Sequence, residues 1–274
     1  LVINVGDDFE HYGLKICPDL DTVMYTLSAW ANPETGWGVR EDSFRTLEMI
    51  GVYGEPTWFR LGDRDFATHI LRHAGLSSGQ TLTQVTAWLA GALGIQARLL
   101  PASDQPAPTW VHTQGGERLA FQDYFVRQRW QPVVTHLEYT PAPASPDVLA
   151  AMDAADAFII CPSNPFLSLA PMLALTGLRE RLEKRRVPCI AVSPLVGGVA
   201  LKGPADKLLA ELGYEVSDRG IFQSYQGLID ALVVHSPQSP VASPYVGMDT
   251  LLPTPEARAR LALALLAWLE ARAA

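Results

Sequence analysis

Between Asn4 and Thr22 the sequence reads NVGDDFEHYGLKICPDLDT and gathers Asp7, Asp8, Glu10, Asp19 and Asp21 around two short turns. Clustered carboxylates are hard oxygen ligands suited to Mg²⁺. A carboxylate can also orient and deprotonate a substrate hydroxyl. The same acids could instead cap helices and hydrate loops. Asp21 stands just before the apolar-periodic run Val23 to Trp30, where an N-cap belongs. Five acids in so short a span favour chemistry over capping alone.

Three further stretches carry residues able to bind a ligand. In WFRLGDRD, residues 58–65, Asp63 reads as the N-cap of a helix running to about His73. A cation is not favoured at a helix N-terminus, so Arg60 and Arg64 are better explained by an anion or by the carboxylate loop, and both are site candidates. Asp65, His69 and His73 recur every four residues and so share one helix face. A zinc-type site there lacks a fourth ligand, and we read the face as solvated or structural. In Pro162-Ser163-Asn164-Pro165 two prolines hold Ser163 and Asn164 in a rigid turn that suits hydrogen bonding to a base or a phosphate. Gly197-Gly198 with Lys202 resembles a phosphate cradle of backbone amides plus one point charge. There is no Walker A loop, no GxGxxG and no Gly-x-Ser-x-Gly elbow. No cysteine has the setting of a nucleophile. Metal-assisted attack by a substrate hydroxyl on an activated phosphate fits these loops better than covalent catalysis.

Such loops need strand ends to hold them. Leu1–Val5 reads as a buried strand that breaks at Gly6, and an acid-rich loop after a strand is where an α/β protein places its ligand. Helices are expected over residues 21–30, 42–50 (capped by Asp42), 63–73 and 81–93, the last closed by Gly94. Strand 97–100 follows. Residues 109–113 and 118–125 flank Gln114-Gly115-Gly116 as a hairpin. Phe121, Tyr124, Phe125 and Trp130, interleaved with Arg127 and Arg129, could wall a flat-ring pocket or form ordinary hairpin core. Residues 140–146 read as a connector. Strand 157–161, helix 172–184, strand 189–192, a helix from Pro204 to Gly213, strand 231–235 and a final helix from Thr254-Pro255 complete the chain. This alternation predicts a Rossmann-like α/β fold, a mostly parallel sheet with helices on both faces. Residues 1–274 are expected to form one domain, with a helical and β-hairpin elaboration over about residues 75–145.

Composition narrows the classes. With 274 residues, 48% of them hydrophobic, the chain has an ordinary globular make-up. No apolar run reaches the ~20 residues of a membrane span, and no signal peptide is evident. Cys17, Cys161 and Cys189 lack any paired spacing. They are expected as buried thiols in a cytoplasmic protein. A net charge of −8 argues against nucleic acid as a partner. The chain opens on Leu1 in mid-strand without an initiator Met, so an upstream segment is expected to precede it.

The ordered blocks NVGDD (4–8), CPDLDTVMYTL (17–27), RLGDRD (60–65), LPASD (100–104), FQDYFV (121–126), PSNP (162–165) and SPLVGG (193–198) together resemble the 2-phospho-L-lactate transferases of coenzyme F-420 biosynthesis. The resemblance extends through Asp249-Thr250-Leu251 and the last helix. It implies transfer of a phospho-three-carbon acid from a guanosine diphosphate-activated donor to the ribityl hydroxyl of the deazaflavin Fo, with Mg²⁺ present and GMP released. The three-carbon group would be phosphoenolpyruvyl, 2-phospholactyl or 3-phosphoglyceryl. Carried over by motif, Asp21 and Arg60 contact Fo, and Asp7, Asp8 and Asp21 hold Mg²⁺. Asp21 or Asp8 activates the hydroxyl. Asp63 and Arg64 are further ligand-binding candidates, while the Ser163-Asn164 and Gly197-Gly198 loops, with Lys202, face the guanosine diphosphate side. A homodimer is implied as well, and so is an upstream strand with a glycine-rich loop. The gluconeogenesis-factor family, nucleotide-sugar-binding regulators of similar fold, is the competing resemblance. There the acidic loop continues with glycines and serines, whereas here it continues as Phe9-Glu10-His11.

Overall fold

A computed structural model describes residues 1–236, 238 and 241–273. Its spine is a four-stranded parallel sheet in the order Tyr245–Met248, Ala231–His235, Cys189–Val192, Phe158–Ile160. Side chains alternate between the two faces of a strand, and here both sets are apolar. Cys189, Ala191, Leu232 and Val234 enter the main core. Ile190, Val192, Ala231 and Val233 pack with Leu261, Leu265 and Leu269 of the final helix, Pro255–Ala273. Those leucines recur every four residues and share one helix face. Both faces of the sheet are therefore covered, as a parallel sheet requires, and the expected α/β architecture is present. Val2–Ile3 runs parallel to Leu100–Pro101 as a separate pair, and its carboxyl end delivers the acidic loop. Among the described residues no helix is long and apolar enough to cross a membrane.

Four helices of the first half frame that loop: α1 (Pro18–Leu27), α2 (Arg45–Val52), α3 (Asp63–Ser77) and α4 (Leu82–Ala92). α4 matches expectation: Thr81 and Gln84 form a reciprocal capping box, and Gly94 takes a left-handed turn at φ +72°. α1 does not. It starts at Pro18, a residue preorganised for the first helical position, so Asp21 lies inside its first turn and caps nothing.

The caps of α2 and α3 are exchanged. Asp63 does not cap its own helix; its carboxylate accepts from the amides of Arg45 (3.2 Å) and Thr46 (2.9 Å) and from Ser43 Oγ (2.5 Å), and so caps α2. Asp42 accepts from the amides of Arg64 (2.8 Å) and Asp65 (3.2 Å), and so caps α3. Gly62 permits the crossing, because a Cβ there would collide with the Asp42 carboxylate. Hydrogen bonds from Ser43 and Thr46 hold the Asp63 carboxyl down to about 2. A depressed carboxyl adds stability above its unfolded value and loses it as pH falls through the folded one. Asp63→Ala is therefore expected to lower the melting temperature at neutral pH. That gap should close as pH falls from 3.8 towards about 2. Thermal melts of both proteins across this range check it, and a gap independent of pH would remove the cap.

Other departures follow from contacts distant in sequence. The expected hairpin is the edge of a three-stranded antiparallel sheet, Arg118–Ala120, Thr109–Thr113, Val134–Tyr139. Its second strand ends at Ala120, and a π-helix, Asp123–Arg127, follows. Val111, Tyr124 and Val134 belong to the main core, so this sheet shares that core. The helix expected over 172–184 is divided into Pro165–Leu169, Ala170–Leu173 and Leu178–Glu183, with left-handed Gly177 at the last break. Cys17 and Cys189 are buried, but Cys161 is exposed.

Candidate active site

A cavity of about 690 Å³ opens beside the acidic loop. The chain after Ile3 makes its floor through a tied turn. Asn4 Oδ1 accepts from the Gly6 amide (2.9 Å), and Asn4 Nδ2 donates to Asp19 Oδ2 (3.1 Å). Gln122 Nε2 donates to the Asp7 carbonyl (2.9 Å). Gly6 has no room for a side chain, since a Cβ would lie 2.6 Å from Pro171 Cβ. The turn separates the paired aspartates. Asp7 lines the cavity with Asp19 and Asp21, and its buried Oδ1 has no partner. Asp8 does not line it. Its carboxylate pairs with Lys15 Nζ (3.0 Å) and accepts from Cys17 Sγ (3.1 Å).

Burial drives the electrostatics of these acids. The Asp7 carboxyl is pushed well above the usual carboxylate range by burial first, then by the like charges of Asp19, Asp8 and Asp21. Asp8 is pushed up to about 6 by burial, against the pull of Lys15. Burial also raises Asp19, with the Asn4 hydrogen bond opposing. Cys17 is driven well above the ordinary thiol value by burial and by Asp8, so it serves as a donor and not as a nucleophile.

Asp21 is clamped. Arg72, 1% exposed, donates through Nη1 to Asp21 Oδ2 (3.1 Å) and through Nη2 to Asp21 Oδ1. Arg72 Nη1 also lies 3.2 Å from His69 Nδ1 and 3.3 Å from the Lys15 carbonyl. A guanidinium only donates, so His69 Nδ1 is the acceptor in that contact, and His69 Nε2 lies 3.3 Å from Asp65 Oδ1. Tyr25 Oη donates to the same Asp65 oxygen (2.8 Å). The expected helical face of Asp65 and His69 is thus buried and structural, while His73 faces out towards Ser77 (3.4 Å). Asp21, Asp65 and His69 each offer a ligand atom within 4.8 Å of the others, but the Arg72 guanidinium already occupies that position as the cation. Mg²⁺ prefers oxygen ligands, and the buried, unpartnered Asp7 Oδ1 is a carboxylate oxygen of the same cavity free to take a cation.

The remaining sequence candidates divide. Arg60, Asn164 and Lys202 line the cavity. Arg60 lies over the Phe44 ring at 4.3 Å. Asn164 Oδ1 caps the π-helix after it through the amides of Phe166 (2.9 Å) and Leu167 (3.1 Å), leaving Nδ2 buried without a partner. Asp63 and Arg64 do not reach the cavity; the first is the crossed cap, and Arg64 donates to the Arg40 carbonyl (2.8 Å) and packs on Trp30. Ser163 does not line it either. Gly197 and Gly198 make the two-residue turn of a hairpin, Leu195–Val196 with Val199–Ala200, both at positive φ (61° and 81°). They do not form a strand-to-helix cradle. The sequence reading missed Arg72, although its spacing of three from His69 and seven from Asp65 puts it on their helix face. An aromatic wall completes the cavity: Phe121 and Phe125 stack at 5.3 Å and 14°, with Trp130 at 5.1 Å from Phe125.

A doubly covered parallel sheet, with acids, cations and stacked aromatics around one cavity at its loop edge, defines an α/β ligand-binding protein of enzyme type. The family model of 2-phospho-L-lactate transferase CofD matches residues 1–248. The 2-phospho-L-lactate transferase of Methanospirillum hungatei is 37% identical over 264 residues, covering 95% of this chain and 88% of that protein. The phosphoenolpyruvate transferase of Streptomyces griseus is 41% identical over 239 residues, covering 84% and 75%. The chain belongs to the 2-phospho-L-lactate transferase CofD family and is a transferase of that type. A crystal structure of a upf0052-family protein from Bacillus halodurans shares the fold, with a TM-score of 0.54 and 14% identity over 95% of this chain and 81% of that one.

Proposed function

We propose that the protein transfers a phospho-three-carbon acid from a guanosine diphosphate-activated donor to the ribityl hydroxyl of Fo, releasing GMP, in coenzyme F-420 biosynthesis. The observation that carries this reading is the pairing of one acidic wall and one aromatic wall in a single cavity. A flat deazaflavin needs ring faces, and its hydroxyl needs a fixed carboxylate. The names of the relatives, 2-phospho-L-lactate transferase and phosphoenolpyruvate transferase, support the reaction class. In the step, the hydroxyl oxygen forms a bond to the donor phosphorus that carries the acid. The anhydride P–O bond breaks, GMP leaves with that electron pair, and the hydroxyl proton passes to a carboxylate. Asp21, held by Arg72, accepts the hydrogen bond of the attacking hydroxyl and orients it. Asp7, through its unpartnered Oδ1, would hold Mg²⁺, which when bound offsets the charge of the diphosphate. Arg60 steadies Fo, while Asn164 Nδ2 and Lys202 supply donors to the nucleotide side.

The test incubates the protein with Fo, Mg²⁺ and each guanosine diphosphate-activated acid in turn. A product heavier than Fo by one phospho-acid unit, with one GMP per product by mass spectrometry, is expected. Absence of Fo binding by fluorescence together with no GMP release would overturn the reading.

A further inference from the structure

The π-helix Asp123–Arg127 ends in a turn of unusual conformation. Arg129 and Trp130 follow each other at φ +50° and +47°. For residues with a side chain the left-handed region is disfavoured, and a bulky residue there is an outlier. Neither is Gly, Asn or Asp. The turn is locked in that state from beneath. Trp130 N donates to the carbonyl of Tyr124 (2.9 Å), a residue with no exposed surface. Lys207 Nζ donates to the Pro132 carbonyl (2.7 Å) and pairs with Glu211. Glu211 in turn accepts from the Val134 amide (2.9 Å). Strain of this kind persists only where the surroundings over-determine it, and it gathers at ligand sites. π-helical turns gather there too.

What the strain achieves is placement. Arg129 and Trp130 both line the cavity. Of the two arginines interleaved with the aromatics, Arg127 pairs with Asp123 on its own turn at 3.6 Å. Among the described residues, no hydrogen bond, ion pair or ring contact holds Arg129. Its neighbour Trp130 continues the ring stack of Phe121 and Phe125. A guanidinium fork left free in a cavity that also carries an aromatic wall suits an anion attached to a flat heterocycle, because the fork takes two oxygens at once.

We propose that the Gln128–Trp130 turn is a binding site for the phosphate oxygens of the activated donor, with Arg129 as their ligand and Trp130 as the ring face beside it. The assignment of the anion to the donor rests on the transferase reading above; the anion site itself does not. The strain gives the test opposed readouts. Arg129→Gly takes φ +50° without penalty, so its melting temperature should equal or exceed that of the wild type. Its affinity for GDP and for inorganic pyrophosphate, by calorimetry with Mg²⁺, should fall at least about tenfold. Arg129→Lys, one point charge on the same strained backbone, should recover part of the binding and melt like the wild type. Fo binding should change less than twofold in both.

Unchanged pyrophosphate binding in Arg129→Gly would overturn the inference, as would a wild type that binds neither probe. A wild type that binds pyrophosphate through Arg129 but yields no product on Fo would keep the anion site and sink the transferase reading. Turnover that survives Arg129→Gly at wild-type donor KM would do the reverse.

Discussion

Arg72→Met is expected to lose both stability and turnover. The guanidinium is 1% exposed and holds both oxygens of Asp21, itself 4% exposed. Removing one partner of a buried pair leaves the other charge uncompensated, at about 3–5 kcal/mol. For a chain of this size that is roughly 6–20 °C in melting temperature. The buried pair is not needed for stability as such, because replacing both partners with neutral groups is often harmless. Asp21→Asn combined with Arg72→Met should therefore recover most of the lost stability and none of the turnover. Arg72→Lys keeps a charge but loses the fork. It should melt nearer the wild type while its kcat falls about a hundredfold, the usual result of a reacting group misplaced by about 1 Å. Thermal melts and kcat on the wild type, Asp21→Asn, Arg72→Met and the double variant form a double-mutant cycle. If the double variant melts no higher than Arg72→Met, the two side chains act independently and the clamp is wrong.

What the sequence revealed was what local pattern decides. Cys189–Val192 and Ala231–His235 are recognisable as strands because apolar, β-branched runs end at turn residues, and the structure has those bounds. Thr81, Gly94 and Thr254-Pro255 mark helix ends through chemistry confined to a few residues. The strand Tyr245–Met248 was invisible because its place depends on pairing with Ala231–His235, and Gly247 at its centre weakens the local signal. Val134–Tyr139 has the same cause, with polar side chains facing out. Gly197-Gly198 is different: a glycine pair between Leu195-Val196 and Val199-Ala200 is itself a hairpin signal, and reading it as a phosphate cradle overrode local evidence.

The acids show the limit most clearly. Sequence placed Asp7, Asp8, Asp19 and Asp21 near a site, but not the direction of each carboxylate. Lys15 and Cys17 draw Asp8 inward, and both come from the strand and cap that follow the loop. Asp42 and Asp63 were each legible as caps, yet each caps the other's helix. The decision between a helix's own cap and a neighbour's is made by how α2 and α3 meet. Of the carboxylates in the cavity, only Asp7 is left with a buried oxygen that nothing satisfies among the described residues.

That isolation makes Asp7→Asn a variant expected to gain stability while losing function. Burial, and then the charges of Asp19, Asp8 and Asp21, raise the Asp7 carboxyl well above its ordinary 3.8. A folded state that holds a proton more tightly than the unfolded chain becomes less stable as pH climbs through the interval between the two values. Asp7→Asn removes that penalty. It should match the wild type below about pH 3.8 and melt above it at neutral pH without metal. Added Mg²⁺ should reverse the order, since a ligand that binds only the folded form raises its melting temperature by mass action. The wild type should gain with Mg²⁺ and lose the gain with a chelator, whereas the variant should respond weakly. Turnover should fall about a hundredfold or more, the worth of several kcal/mol of charge stabilisation. An Mg²⁺-dependent rise in Asp7→Asn equal to that of the wild type would take Asp7 out of the cation site. A variant less stable than the wild type at neutral pH without metal would show that like-charge crowding is not what isolates this carboxylate.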